Sequence, residues 1–177
     1  MAKSNNSRHA PLVGILMGSD TDLPVMTESV KTLEKFGIPF EIEVISAHRS
    51  PGRTHEYART ARDRGLKVII VGAGGAAHLA GVVASLTTLP VIGVPLATTA
   101  LNGLDALLST VQMPAGIPVA TLAVDKAGAV NAAILAAQIL GISNADIARK
   151  LLAYKEELAR SVVEKNNKLK APVAGPK

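Results

Sequence analysis

Leu12-Val13-Gly14-Ile15-Leu16-Met17, followed at once by Gly18-Ser19-Asp20, is a short uncharged apolar run that stops on a glycine. A run of this length bounded by turn residues reads as a strand, and its lack of polar alternation means that both of its faces are covered. Downstream the period changes to that of a helix. Met26, Val30 and Leu33 recur at helical spacing, Asp22 is placed to cap, Pro24 stands in the first turn, and Phe36-Gly37 ends the segment.

The strand-to-helix unit then repeats. Residues 40–45 form a second strand that breaks at Ser46-Ala47-His48-Arg49-Ser50-Pro51, where Ser50 and Pro51 read as N-cap and first residue of a helix to about Arg64, with Ala58 and Ala61 inward. Residues 67–71 are a third strand running into Gly72-Ala73-Gly74-Gly75-Ala76-Ala77-His78, and Leu79, Val82, Val83 and Leu86 mark the inner face of the next helix. Residues 91–94 and 119–124 supply two more strands, with a short helix over 104–111 between them.

Buried strands alternating with helices predict an α/β fold: a three-layer, flavodoxin-like sandwich on a five-stranded parallel sheet of order 2-1-3-4-5, with a C-terminal helix extension. In that topology a ligand binds beyond the carboxyl ends of the strands, where the strand order reverses. The segment 129–140 has Asn131 and Gln138 as its only polar side chains, so it must be covered on all sides, and we expect a subunit interface to cover it. The last helix, about 144–163, carries Ile147, Leu151, Tyr154, Leu158 and Val162 on one stripe and is expected to dock on a neighbour or on the sheet. Residues 11–164 are expected to form a single domain, and the polar ends 1–10 and 165–177 to be disordered.

Composition narrows the function classes. With 177 residues, 48% of them hydrophobic, one sizeable core is available without metals or disulfides. The absence of cysteine removes thiolate chemistry and cysteine-ligated metals and fits a cytoplasmic setting. No signal-peptide pattern or membrane-spanning run is present, so no membrane partner is expected. The net charge of +5 comes from the ends: Lys3, Arg8, Lys165, Lys168, Lys170 and Lys177 lie where there are no acids, and the interior is near neutral. With so few aromatic side chains, Tyr57, Tyr154, Phe36 and Phe40, nucleic acid is not expected as a partner.

Three loops fall at the predicted binding rim. In Gly18-Ser19-Asp20-Thr21-Asp22 the serine hydroxyl and the following helix N-terminus can donate to an anion, and Asp22 can accept from ribose hydroxyls or serve only as a cap. In Ser46-Ala47-His48-Arg49 a hydroxyl and a guanidinium form a plausible phosphate cradle. His48 between them suits proton transfer, although a lone histidine is more often a structural or surface residue. The third loop is not a dinucleotide fingerprint, because glycines at 72, 74 and 75 do not make G-x-G-x-x-G. It reads instead as a wall of small residues for a flat heterocycle, with His78 either lining the site or capping the next helix. His55 and His9 read as surface side chains. No metal-ligand spacing and no Walker motif occurs.

Taken together these loops resemble one family, the class I N5-carboxyaminoimidazole ribonucleotide mutases of purine biosynthesis, also known as the catalytic subunit of phosphoribosylaminoimidazole carboxylase. The resemblance covers about residues 13–152. It rests on Met17-Gly18-Ser19 with Asp22, on Ser46-Ala47-His48-Arg49, on Gly72-Ala73-Gly74-Gly75-Ala76-Ala77-His78-Leu79, and on Val111-Gln112-Met113-Pro114 followed by Gly116-Ile117-Pro118-Val119. It implies an isomerase without cofactor or metal that acts on a small ribonucleotide and assembles as a homo-octamer. It further implies His48 as the proton-transfer group, Ser19, Ser46 and Arg49 as phosphate ligands, Asp22 on the ribose, and Ala73, Gly74 and His78 around the base. Leu23, Ala80 and Asp125 depart from the family pattern, which commonly has Trp, Pro and Gly there. Two alternatives remain beside this reading: a class II enzyme that carboxylates aminoimidazole ribonucleotide directly with carbon dioxide, and a non-catalytic nucleotide-binding module of the same fold. A receiver-like module would want an acid at the end of the third strand, where this chain has Gly72.

Overall fold

The computed structural model describes residues 10–170. Five strands, β1 (Val13–Met17), β2 (Phe40–Val44), β3 (Val68–Gly74), β4 (Val91–Leu96) and β5 (Ala120–Thr121), form one parallel sheet in the order β2-β1-β3-β4-β5. The predicted order holds. Six α-helices complete the fold: α1 (Leu23–Phe36), α2 (Pro51–Thr60), α3 (Leu79–Leu86), α4 (Leu104–Val111), α5 (Asp125–Gly141) and α6 (Ala145–Lys170).

The continuous apolar strands have the predicted cause. Val13, Ile15 and Met17 of β1 point into a core shared with α1 and α5, whereas Leu16 points to the opposite face among Tyr57 and Ala58 of α2 and Val83 of α3. Alternate side chains of a strand face opposite sides of the sheet, so a strand sandwiched between helix layers must be apolar throughout. β2 lies at the sheet edge and alternates, with Glu41 and Glu43 paired to Arg64 and Arg53 across to α2 and the segment that follows it.

Several expectations are corrected. The apolar helix α5 finds cover for one face within its own chain: Ala129, Ala132, Ala133, Ala136 and Ala137 are fully buried among residues of α1, β3 and β4, whereas Val130, Ile134 and Ile139 are half-buried and Asn131 and Gln138 exposed. Alanine lets the helix backbones approach closely, and the buried Ser29 hydroxyl of α1 donates to Ala129 O at 2.7 Å. α6 docks on α1 and α5 of the same protomer, not on the sheet. Phe36 and Tyr154 meet edge to face with centroids 5.6 Å apart, and Lys150 Nζ donates to Phe36 O at 2.9 Å. Further out, Leu158 and Val162 of its stripe are exposed.

α6 also continues past the expected boundary at Glu164 to Lys170. The remaining tail residues, 1–9 and 171–177, lie outside the described residues. β5 is much shorter than 119–124: only Ala120 and Thr121 pair, with Ile92 and Gly93, before the chain turns off the sheet edge into α5. α2 stops at Thr60, ahead of a turn closed at Gly65, whose φ of 99° an L side chain rarely adopts. Val82 is on the exposed side of α3; Leu79, Ala80 and Val83 face inward.

Candidate functional site

At the carboxyl rim of β1 the chain cannot continue straight into α1. Ser19 opens a single 3-10 turn over Asp20–Asp22, and its hydroxyl accepts the Thr21 backbone N–H at 3.4 Å. Asp22 folds back and accepts the Ser19 N–H at 3.0 Å, a reciprocal capping box. Asp22 therefore precedes α1 without capping it through its side chain, a correction to the sequence reading. The carboxyl is buried, and the loss of hydration pushes its pKa above the usual carboxylate value, opposed by the Ser19 and Gly18 backbone donors.

The loop after β2 is closed by Ser50. Its hydroxyl donates to Ser46 O at 2.9 Å and accepts the Ser46 N–H at 3.2 Å, so Ser50 braces the loop and makes no side-chain cap to α2. The Ser46 hydroxyl in turn accepts from Arg49, from the backbone N–H at 3.2 Å and from Nε at 3.4 Å. Arg49 Nη2 donates to Gly18 O at 2.9 Å, which ties the second loop to the first. A guanidinium has five N–H donors, and those not engaged here remain to receive an anion.

The same closure brings His48 across to the third loop. Its Nε2 lies 2.9 Å from Nδ1 of His78, the two rings nearly perpendicular at 86°. His78 precedes α3, makes no side-chain cap to it and stands behind His48, outside the residues that line the cavity. The small-residue wall begins in the sheet itself, since Ala73 and Gly74 are the last residues of β3. A Cβ built on Gly74 would lie 1.9 Å from Thr98 Oγ1, so only glycine leaves room for the chain leaving β4.

These elements enclose an open cavity of about 340 Å³. It is lined by Ser19, Asp22, Ser46, His48, Arg49, Ala73 and Gly74, together with Gly18, Thr21, Ala47, Ala76, Leu79 and Thr98. Every residue singled out in the sequence is thus at the cavity or, for His78, hydrogen-bonded to a residue that is. Thr98 was missed, although a signal existed: β4 neighbours β3, so the residues after Leu96 emerge on the same rim. His55 lies exposed on α2, as expected, and His9 is outside the described residues. Among the departures, Leu23 is exposed, Ala80 is buried, and Asp125 has φ of 58°, a left-handed conformation that explains why glycine also suits that position. Among the described residues no group of His, Asp and Glu is arranged to hold a metal, and no helix is long and apolar enough to cross a membrane.

A five-stranded parallel sheet with an open cleft beyond the carboxyl ends of its strands, at the switch point, defines a flavodoxin-like α/β protein with room there for a small molecule. More narrowly, the chain belongs to the AIR carboxylase family, whose model matches residues 12–161. It is 62% identical over 159 residues to the N5-carboxyaminoimidazole ribonucleotide mutase of Pyrococcus horikoshii, covering 90% of this chain and 89% of that one. To the protein of the same name from Bacillus subtilis it is 56% identical, covering 90% and 98%. Among solved structures, Treponema denticola PurE superposes with a TM-score of 0.81 at 31% identity, covering 90% of this chain and 99% of that one.

Proposed function

We propose that the chain converts N5-carboxyaminoimidazole ribonucleotide to its 4-carboxy isomer in purine biosynthesis, as its named relatives do. The observation that carries this reading is the convergence of three loops on one cavity, where Ser19, Ser46 and Arg49 form an anion cradle on one side and His48 stands beside the small-residue wall. The phosphate binds the cradle, Asp22 accepts from the ribose, and the heterocycle lies against Ala73 and Gly74. His48 gives a proton to N5 as the N5–carboxyl bond breaks, releasing carbon dioxide within the cavity. Carbon 4 then attacks the carbon dioxide, and its displaced proton returns to His48, so protons balance over the cycle. Neither a cofactor nor a metal enters this scheme. Enclosure matters because carbon dioxide free in water would escape or hydrate.

The same reading makes the enzyme a cytoplasmic homo-octamer acting on a small ribonucleotide, with no nucleic-acid or membrane partner. In support of an assembly, Leu101, Leu104, Leu108 and Val111 at and along α4, and Leu158 and Val162 on α6, are exposed in the single chain.

The test is turnover of substrate labelled with carbon-13 in the carbamate, in unlabelled bicarbonate buffer. The proposal expects the label to remain in the product and His48→Asn to bind substrate without turning it over. A second reading, direct carboxylation of aminoimidazole ribonucleotide, is favoured by the family's description. It expects product from that ribonucleotide and carbon dioxide alone and none from the carbamate. Retained turnover in His48→Asn would refute the proton role.

A further inference from the structure

Four hydroxyl groups border the cavity, and three of them are engaged within the protein: Ser19 with Asp20 and Thr21, Thr21 with Ser19, and Ser46 with Arg49. The fourth, Thr98, is exposed at the cavity wall and makes no side-chain hydrogen bond to any described residue. Its position is tightly defined. Gly74 leaves just enough space for it, and the preceding residue is anchored, because Ala97 N–H donates to Asp125 Oδ1 at 2.8 Å. Asp125 makes this bond from a left-handed backbone, φ 58°, a conformation that costs a non-glycine residue energy and persists where its surroundings over-determine it.

The strand order says which part of a ligand would meet Thr98. The anion cradle is built on the ends of β2 and β1, and Thr98 follows β4, on the far side of β3. Adjacent strands are about 4.8 Å apart, so the cradle and Thr98 are separated by roughly the length of a mononucleotide. A phosphate in the cradle directs the heterocycle and its exocyclic groups toward Thr98.

We propose that Thr98 is a substrate-contacting residue that donates its hydroxyl hydrogen to the carboxylate carried by the heterocycle, and that Asp125 is the positioning residue that holds it there. This rests on the ribonucleotide reading above. A hydroxyl at the cavity wall with no partner among the described residues is an available donor, and a bond to a carboxylate is of the stronger, charge-assisted kind.

Titration calorimetry on the full chain, with the 4-carboxy-5-aminoimidazole ribonucleotide and with ribose 5-phosphate, tests both assignments. Thr98→Val should weaken the carboxylated ribonucleotide about tenfold to a hundredfold and leave ribose 5-phosphate within about twofold, while Thr98→Ser keeps both. Asp125→Gly relieves the backbone yet removes the acceptor, so it should weaken the carboxylated ligand alone, and Asp125→Asn should restore it. Equal effects on the two ligands, or none, in Thr98→Val would overturn the contact, and wild-type binding by Asp125→Gly would overturn the positioning role. If the wild-type chain binds the carboxylated ribonucleotide but does not turn over the carbamate, the proposed reaction falls while these assignments stand. Failure to bind it sinks both.

Discussion

Nε2 of His48 and Nδ1 of His78 stand 2.9 Å apart, so one ring donates the hydrogen between them and the other accepts it. Each tautomer is thereby set by the other, and the imidazole assigned to proton transfer is held by a second imidazole that does not line the cavity. Removing the second ring leaves the first free to rotate. We expect His78→Ala to lower kcat about tenfold with little change in KM, and His78→Asn, whose amide offers both a donor and an acceptor, to recover part of the loss. Steady-state kinetics on both variants decides it, and an unchanged kcat in His78→Ala would remove His78 from the mechanism.

Asp22 gives a pH signature. Its carboxyl has a raised pKa, chiefly because burial strips its hydration, so the folded state holds the proton more tightly than the unfolded chain. Stability contributed by this group is therefore greatest in acid and is lost as pH rises through the window between the ordinary aspartate value of 3.8 and the raised one. Asp22→Asn keeps a carbonyl acceptor for the Ser19 N–H and carries no charge. We expect its melting temperature to match or exceed that of the wild type at pH 7 and the difference to shrink toward pH 4. A difference that instead grows on acidification contradicts the burial argument.

Gly74 is a steric necessity. A methyl group there would meet three atoms of Thr98, at 1.9, 2.8 and 2.8 Å, so the chain after β4 must move. Overpacking of this kind costs about 1–3 kcal/mol, and here it falls on a surface loop, not on the core. Gly74→Ala is expected to fold with a melting temperature a few degrees lower and to bind the ribonucleotide at least about tenfold more weakly. Melting and calorimetry on the same preparation check both halves.

The α1–α5 contact should be the least tolerant part of the core. Ala133 is fully buried within the cluster that joins these helices to the sheet, where an isobutyl group has no space. Ala133→Leu is expected to destabilise the fold by about 1–3 kcal/mol or more. Denaturant midpoints measure this, and a wild-type midpoint would show that the helices part easily.

Much of this was legible in one dimension. Buried strands such as 13–17 and 68–71 are apolar without interruption because helices cover both faces, and the loops beyond them carry the Ser, His, Arg and Gly residues that a backbone rim can present. Three features were not legible: Asp22 turning back on Ser19, Thr98 facing Gly74, and the alanine face of α5 finding cover within its own chain. Each depends on which elements become neighbours, and periodicity reports only that a face must be buried, not against what.

For this chain, local residue pattern determined the strand and helix alternation and the membership of the three loops, since short-range propensity and hydrophobic period act within a few turns of chain. Tertiary structure alone decided that His48 reaches His78 across 30 residues and that Asp125 holds Ala97 across 28. Such hydrogen bonds require alignment to within a fraction of an ångström, which only the packed sheet and helices impose.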